Sequence, residues 1–247
     1  MPGLIESAIA AVVMFLGSTV LSTIGFGIGM TTIPVLLFVF DPQTVIVVVN
    51  TVSLLLFVLI VAQNRHELPI RRVGPLALAG MAAVPVGVFV LKETDSHLLK
   101  IAISAVTILL TILVASRVET PIPRGTIAGL VVAFGVSITL NALGIGGPIM
   151  ALYVFAQNWS RNAVRGALSL YFLFVETAGV IGYAVAGLMT PERLWLIAIV
   201  AVPVVLGFYL ATYLVRRMNE SVFRTATIVA ILVMCGMTLA REIISLV

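Results

Sequence analysis

The feature that most restricts the fold is a glycine-rich stretch that occurs twice. Gly25–Gly29 reads GFGIG and Gly144–Gly147 reads GIGG, and Gly144 stands 117 positions after Gly27. Each stretch separates two apolar segments, and the second of these is short. Short, glycine-broken segments at matching positions of two halves mark binding sites in membrane transporters, because a half-helix N-terminus directs free N–H groups at the ligand. The repeat therefore predicts two related halves with an anion bound near their centre.

The composition identifies an integral membrane protein. Hydrophobic residues make up 61% of the chain and charged residues 10%, whereas a soluble domain carries about 25% charged residues. So few charges cannot cover a surface that faces water. The apolar runs are long and lack the alternation of a membrane β-barrel, so we expect an all-α fold.

Hydropathy divides the chain into ten apolar segments, and eight of them reach the roughly 20 residues that a spanning helix needs. The second and seventh segments, which follow the glycine stretches, are shorter. A helix of about 13 residues covers only about 20 Å of a hydrocarbon core about 30 Å thick. The approximate limits of the segments are 5–24, 28–40, 44–62, 73–91, 97–115, 126–142, 147–157, 164–187, 193–214 and 221–240.

The segments form two repeats, at about 5–116 and 125–244, within one transmembrane domain covering 1–247. If all ten segments cross the membrane, ten basic residues share one side against four on the other; if both short segments turn back, the division is seven against seven. The positive-inside rule favours ten crossings. Five crossings per half then invert the second repeat relative to the first and place both termini outside the cytoplasm.

The sequence offers little sign of other classes of protein. The first residues lack the basic region of a cleaved signal peptide, so we expect the first apolar run to remain as a helix. The single cysteine, Cys235, excludes an internal disulfide. His66 and His97 are far apart, and no metal-binding or P-loop motif is present. We therefore expect no enzyme activity, no cofactor, no metal site and no nucleic-acid partner.

Polar residues near the breaks are candidate ligand contacts, because polar groups are costly inside a membrane. Asn141 stands three residues before the second break, and Asn50 and Ser53 share one face of the third segment. Hydroxyl groups can instead bond the carbonyl four residues earlier, and glycines can serve close helix packing. The glycines expected to offer backbone N–H groups are Gly27, Gly29, Gly144, Gly146 and Gly147.

A second set of candidates forms one stripe of the eighth segment: Arg165, Ser169, Phe172 and Glu176. The guanidinium of Arg165 suits a sulfonate, sulfite or carboxylate, or it anchors the helix at the lipid interface. At its depth, Glu176 faces a cavity, pairs with a cation or is protonated. Glu176 is thus a candidate for proton coupling, with a neutral glutamate bonded between helices as the alternative.

The duplicated layout resembles the TauE/SafE (TSUP) family of sulfite and organosulfonate exporters, over about residues 8–240. The resemblance implies a secondary carrier of the bacterial inner membrane for sulfite, sulfoacetate or a related sulfur-containing anion. Met30 and Thr31 stand where the family has more glycine, and Tyr153 stands opposite Pro34, so the identity of the anion stays open. The family's glycine motif maps onto Gly25, Gly27 and Gly29 and onto Gly144, Gly146, Gly147 and Pro148.

Three functions fit this pattern. In a carrier, the anion binds between the breaks and the two repeats rock about it to give alternating access. An uncoupled anion channel or permease would ignore a proton gradient, and a non-transporting scaffold would not be stabilised by any anion. The expected partners are a small anion and the lipid bilayer, and faces of small residues permit a homodimer.

Overall fold

The computed structural model describes residues 3–24, 27–63, 68–115, 125–157 and 161–214. These residues form nine helices and no strand, which confirms an all-α protein. Gly25, His66, the tenth segment and Cys235 lie outside the described residues. The helices are α1 Leu4–Ile24, α2 Ile28–Leu36, α3 Pro42–Gln63, α4 Ile70–Glu93, α5 Ser96–Ala115, α6 Thr126–Leu143, α7 Gly147–Ala156, α8 Arg161–Val185 and α9 Pro191–Leu214.

Seven of these helices are long and apolar enough to cross a membrane, namely all except α2 and α7. The protein is therefore a multi-pass membrane protein. The predicted limits of α2 differ from the structure, because the apolar run continues to residue 40 whereas the helix ends at Leu36. The chain then tightens into turns, in which Val39 N–H donates to the carbonyl of Leu36 at 3.0 Å. An apolar run thus does not by itself specify continuous helix.

The two glycine stretches interrupt the helices as predicted. Gly27, which precedes α2, and Gly144, which follows α6, have φ angles of +103° and +72°. Side chains disfavour this left-handed region, so glycine is the natural residue at both positions. The N–H of Gly144 donates to the carbonyl of Leu140 at 2.8 Å and closes the last turn of α6.

The two interruptions pack directly against each other. A Cβ atom added to Gly29 would overlap the carbonyl oxygen of Gly144, and one added to Gly144 would overlap the side chain of Ile33. No side chain can therefore stand between the backbones at this point. The requirement for glycine comes both from the backbone conformation and from the close approach of the two backbone segments.

The helices around this contact pack in corresponding pairs. When α1 to α4 are matched with α6 to α9, the contact of α1 with α9 corresponds to that of α6 with α4, and the contact of α3 with α9 to that of α8 with α4. Helices α3 and α8 contact each other in the middle of the bundle. Small residues allow the close pairs: a Cβ on Gly87 of α4 would lie 3.0 Å from the Ile138 carbonyl oxygen of α6.

We predict that Gly29→Ala destabilises the protein by about 1–3 kcal/mol, the usual cost of forcing an extra methyl group into packed surroundings. The added methyl must push the two broken helices apart. The matched control is Gly135→Ala on α6, since a Cβ there meets nothing within 4 Å. That variant should keep or slightly raise stability, because alanine favours helix. Thermal unfolding of the purified variants measures both effects, and equal melting temperatures would contradict the proposed contact.

Candidate functional site

A cavity of about 30 Å³ lies where the two interruptions meet. This volume can hold water, which needs roughly 10–15 Å³ on the same measure. The walls come from the first turns of α2 and α7, from the end of α6 and from the middle of α3 and α8. Eight of the eleven predicted site residues line it: Gly27, Gly29, Asn50, Ser53, Gly144, Gly146, Gly147 and Glu176.

Two helix N-termini face this cavity. The first-turn N–H groups of a helix have no acceptor within the helix. Gly27 and Gly146 occupy the N-cap positions of α2 and α7 and make no side-chain cap bond. Pro148, in the first turn of α7, has no N–H, so α7 offers fewer donors than α2. Each terminus carries a partial positive charge of about half a unit, so the backbone makes the cavity favourable for an anion.

The carboxyl group of Glu176 shares the cavity. The residue is 3% exposed, and its Oε1 lies 3.3 Å from Ser53 Oγ. Its Oε2 is buried without a hydrogen-bond partner. No cationic side chain of the described residues pairs with it, so of the predicted alternatives the structure favours a glutamate that faces a cavity.

Asn50 uses its amide group to cap the broken end of α6. Its Nδ2 donates to the carbonyl of Leu140 at 3.0 Å and to the hydroxyl of Tyr183 at 2.9 Å. Tyr183 Oη donates in turn to the carbonyl of Asn141 at 3.1 Å. Both carbonyls belong to the last turn of α6; that of Leu140 also accepts from the Gly144 N–H, whereas that of Asn141 lies where donors from the helix itself run out. Tyr183 is not among the predicted site residues, although it lies on the same stripe as Glu176, two turns further along α8.

Three predicted residues do not line the cavity: Asn141, Arg165 and Ser169. Ser169 Oγ donates to the carbonyl of Arg165 at 2.8 Å, the bond within the helix that is the ordinary alternative for a buried serine. Asn141 Nδ2 donates to the carbonyl of Ser137 at 2.9 Å, and a Cβ added to Gly179 would overlap its Oδ1. Its side chain thus lies between α6 and α8.

Arg165 lies three turns before Glu176, about 16 Å along α8. Its Nη2 donates to the carbonyl of Ser22 at 3.3 Å, while its Nε is buried without a partner. Ser22 lies in the last turn of α1, as Leu140 lies in the last turn of α6. Each half therefore caps the helix before the break of the other half, with a side chain about one turn before Ser53 or Ser169. The cap is a neutral amide in one half and a guanidinium in the other.

The family model for the TauE/SafE sulfite exporters matches residues 9–238, nearly the whole chain. The chain belongs to the TauE/SafE sulfite exporter family. This confirms the resemblance that the glycine motifs suggested. Neither a curated protein nor a solved structure gives a significant match. The TauE/SafE family is a family of membrane transporters, which agrees with the seven spanning helices.

A further polar cluster of this TauE/SafE protein joins its two halves beyond the cavity. Arg193, at the start of α9 and 9% exposed, donates from Nε to Thr44 Oγ1 at 2.9 Å and from Nη1 to the Leu188 carbonyl at 2.8 Å. Its Nη2 lies 3.5 Å from Asp41 Oδ1 and donates to Gln43 Oε1 at 3.2 Å. Arg193 is one of the basic residues that the topology argument counts, and nothing in the sequence indicates its partners.

We predict that Tyr183→Phe destabilises this TauE/SafE protein by about 1 kcal/mol, because a buried carbonyl of α6 and an amide N–H of Asn50 lose their partner. The matched control is Tyr209→Phe, since Tyr209 of α9 is 59% exposed. Thermal unfolding of both variants in one detergent measures the difference. A Tyr183→Phe variant as stable as the control would show that this cap contributes nothing.

Proposed function

We propose that this protein is a secondary transporter of a small sulfur-containing anion, such as sulfite, sulfoacetate or a related organosulfonate, in the bacterial inner membrane. The observation that carries the proposal is the meeting of two broken helices at Gly29 and Gly144, with two uncapped N-termini at one cavity. Backbone N–H groups and helix dipoles bind anions without a fixed cation. Membership of the TauE/SafE family supplies the class of substrate.

The cavity supports a compact anionic head group in this conformation. Asn50 also lines the cavity, but its amide N–H groups donate to Leu140 and Tyr183, so the donors for an anion are the backbone N–H groups. The rings of Phe57 and Phe172 stack with their centroids 5.3 Å apart. Both rings line the cavity one turn from Ser53 and Glu176, on the side that leads along α8 towards Arg165. A compact head group would lie against the broken helices, and any organic substituent would require the cavity to widen.

The proposed mechanism is alternating access by two inverted repeats. The corresponding packing of α1 with α9 and of α6 with α4 supports a pseudo-two-fold relation between the halves. A two-fold axis through the contact of α3 with α8 would pass close to the cavity, so rocking of the halves would expose one site to each side in turn. Ten crossings with both termini outside the cytoplasm complete this proposal.

We predict that sulfite, thiosulfate or sulfoacetate raises the melting temperature of the purified protein, since a ligand of the folded state stabilises it by mass action. Ser53→Ala should weaken the effect several-fold, because the Ser53 hydroxyl lies in the cavity wall and can turn from the Val49 carbonyl to a bound anion. Ser104→Ala is the matched control: Ser104 is equally buried, on α5, and does not line the cavity. If none of these anions stabilises the wild type or crosses a proteoliposome membrane, the proposed function is wrong.

Transport by a carrier differs from flow through an uncoupled channel in its dependence on concentration. We predict that the initial rate of thiosulfate uptake into proteoliposomes reaches a plateau as external thiosulfate rises. Thiosulfate loaded inside the vesicles should accelerate uptake of labelled thiosulfate, because a loaded carrier returns its site faster than an empty one. A rate that rises linearly and ignores internal thiosulfate would favour the channel.

A further inference from the structure

We infer that the central cavity takes up a proton together with the substrate anion, and that Glu176 holds this proton. The inference rests on the proposed function and names a second ligand of the same site. No covalent step is involved: one proton binds to a carboxylate oxygen of Glu176 when the anion binds and leaves when the anion leaves.

Glu176 lies where a substrate anion would bind. Glu176 lines the same cavity as the N-termini of α2 and α7, and the volume of that cavity is about 30 Å³. A carboxylate and a substrate anion there would compete for the same N–H groups and would repel each other at close range, where water screens poorly. Both can occupy the cavity together when the carboxyl group is protonated. Without substrate, the ionised carboxylate can itself serve as the anion of the site.

The hydrogen bonds around Glu176 leave room for a proton on its carboxyl group. Ser53 has one hydroxyl proton, and its Oγ lies 2.7 Å from the carbonyl oxygen of Val49 but 3.3 Å from Glu176 Oε1. With that proton directed at Val49, the serine oxygen is left as an acceptor facing the carboxyl group. The other carboxyl oxygen, Oε2, is buried and unpartnered. A protonated Glu176 can therefore donate either to Ser53 or to an oxygen of a bound anion.

Among the residues that the structure describes, no cation lies where it would neutralise the carboxylate instead. Helices α2, α3, α6 and α7 carry no charged residue in their described lengths. Tyr183, two turns after Glu176 on the same face of α8, is engaged with Asn50 and Asn141. Tyr171 Oη donates to the Ala133 carbonyl of α6, and Arg165 contacts α1. Tyr153 of α7 approaches Gly129 near the start of α6. The charged residues of α4 occupy its end turns: Arg71, Arg72, Lys92 and Glu93.

The test measures the binding of thiosulfate to the full chain in detergent by calorimetry, at pH values from mildly acidic to mildly alkaline. Thiosulfate stays fully ionised over this range, so any pH dependence reports on the protein. We expect the affinity to fall with rising pH, approaching about tenfold per pH unit once Glu176 ionises in the free protein, as linkage of one proton to one anion requires. In weakly buffered solution, binding should take up as much as one proton per thiosulfate, read with a pH indicator.

Glu176→Gln should bind thiosulfate with an affinity that does not change with pH and without uptake of a proton, because the amide mimics the protonated carboxyl group. Glu192→Gln, at the exposed start of α9, is the matched control and should behave like the wild type. If Glu176→Gln does not fold, proton uptake by the wild type still decides the matter. Binding by the wild type with neither pH dependence nor proton uptake would overturn this inference while leaving the proposed function intact; no binding of any sulfur anion would remove the proposed function itself.

Discussion

A helix that ends inside a membrane leaves backbone N–H and C=O groups unpaired where water cannot reach them. In this protein two such breaks, one before α2 and one before α7, meet at the same point. A bilayer tolerates such groups only where protein or a polar cavity receives them. The two kinds of group are treated differently here. Carbonyls before the breaks accept bonds from side chains, namely from Asn50 and Tyr183 at the end of α6 and from Arg165 at the end of α1. The N–H groups after the breaks face the cavity instead. The fold thus caps the negative helix ends with side chains and leaves the positive ends at the cavity.

Much of the fold could be predicted, because the forces that define it act along the sequence. The lengths of the apolar segments predicted the helices. The repeated glycines located both breaks, since residues with side chains rarely adopt the positive φ angles found there. The glycines that line the cavity could therefore be named from the sequence. The direct contact between Gly29 and Gly144 could only be expected from the presumed symmetry, because a close approach of two backbones leaves no mark in the sequence other than glycine itself.

The candidate site was predicted less completely, for a geometric reason. Arg165, Ser169 and Glu176 do share one stripe, but α8 is about 37 Å long and the cavity occupies only its middle. A stripe therefore passes through several environments: an interhelical cap at Arg165, an internal bond at Ser169 and the cavity at Glu176. Tyr183 and Arg193 were missed because their partners lie on distant helices. Burial and helical periodicity indicate which side chains point inwards, but they do not show what those side chains meet.

The two halves share a scaffold but differ in chemistry. Ser53 and Ser169 occupy matching positions, yet the residue two turns after Ser53 is Ile60 and the residue two turns after Ser169 is Glu176. The caps of the broken helices differ in the same way, Asn50 being neutral and Arg165 charged. The two arginines also differ in their bonds: Arg193 makes two bonds to the start of α3, at 2.9 and 3.2 Å, whereas Arg165 makes one bond of 3.3 Å to α1. Under the proposed mechanism, pseudosymmetry would provide two related arrangements of the same helices. Because these polar groups differ between the halves, the two arrangements need not be equal in energy. In the proposed carrier, such an inequality would favour one of the two arrangements, and a few side chains on the repeated helices would supply it.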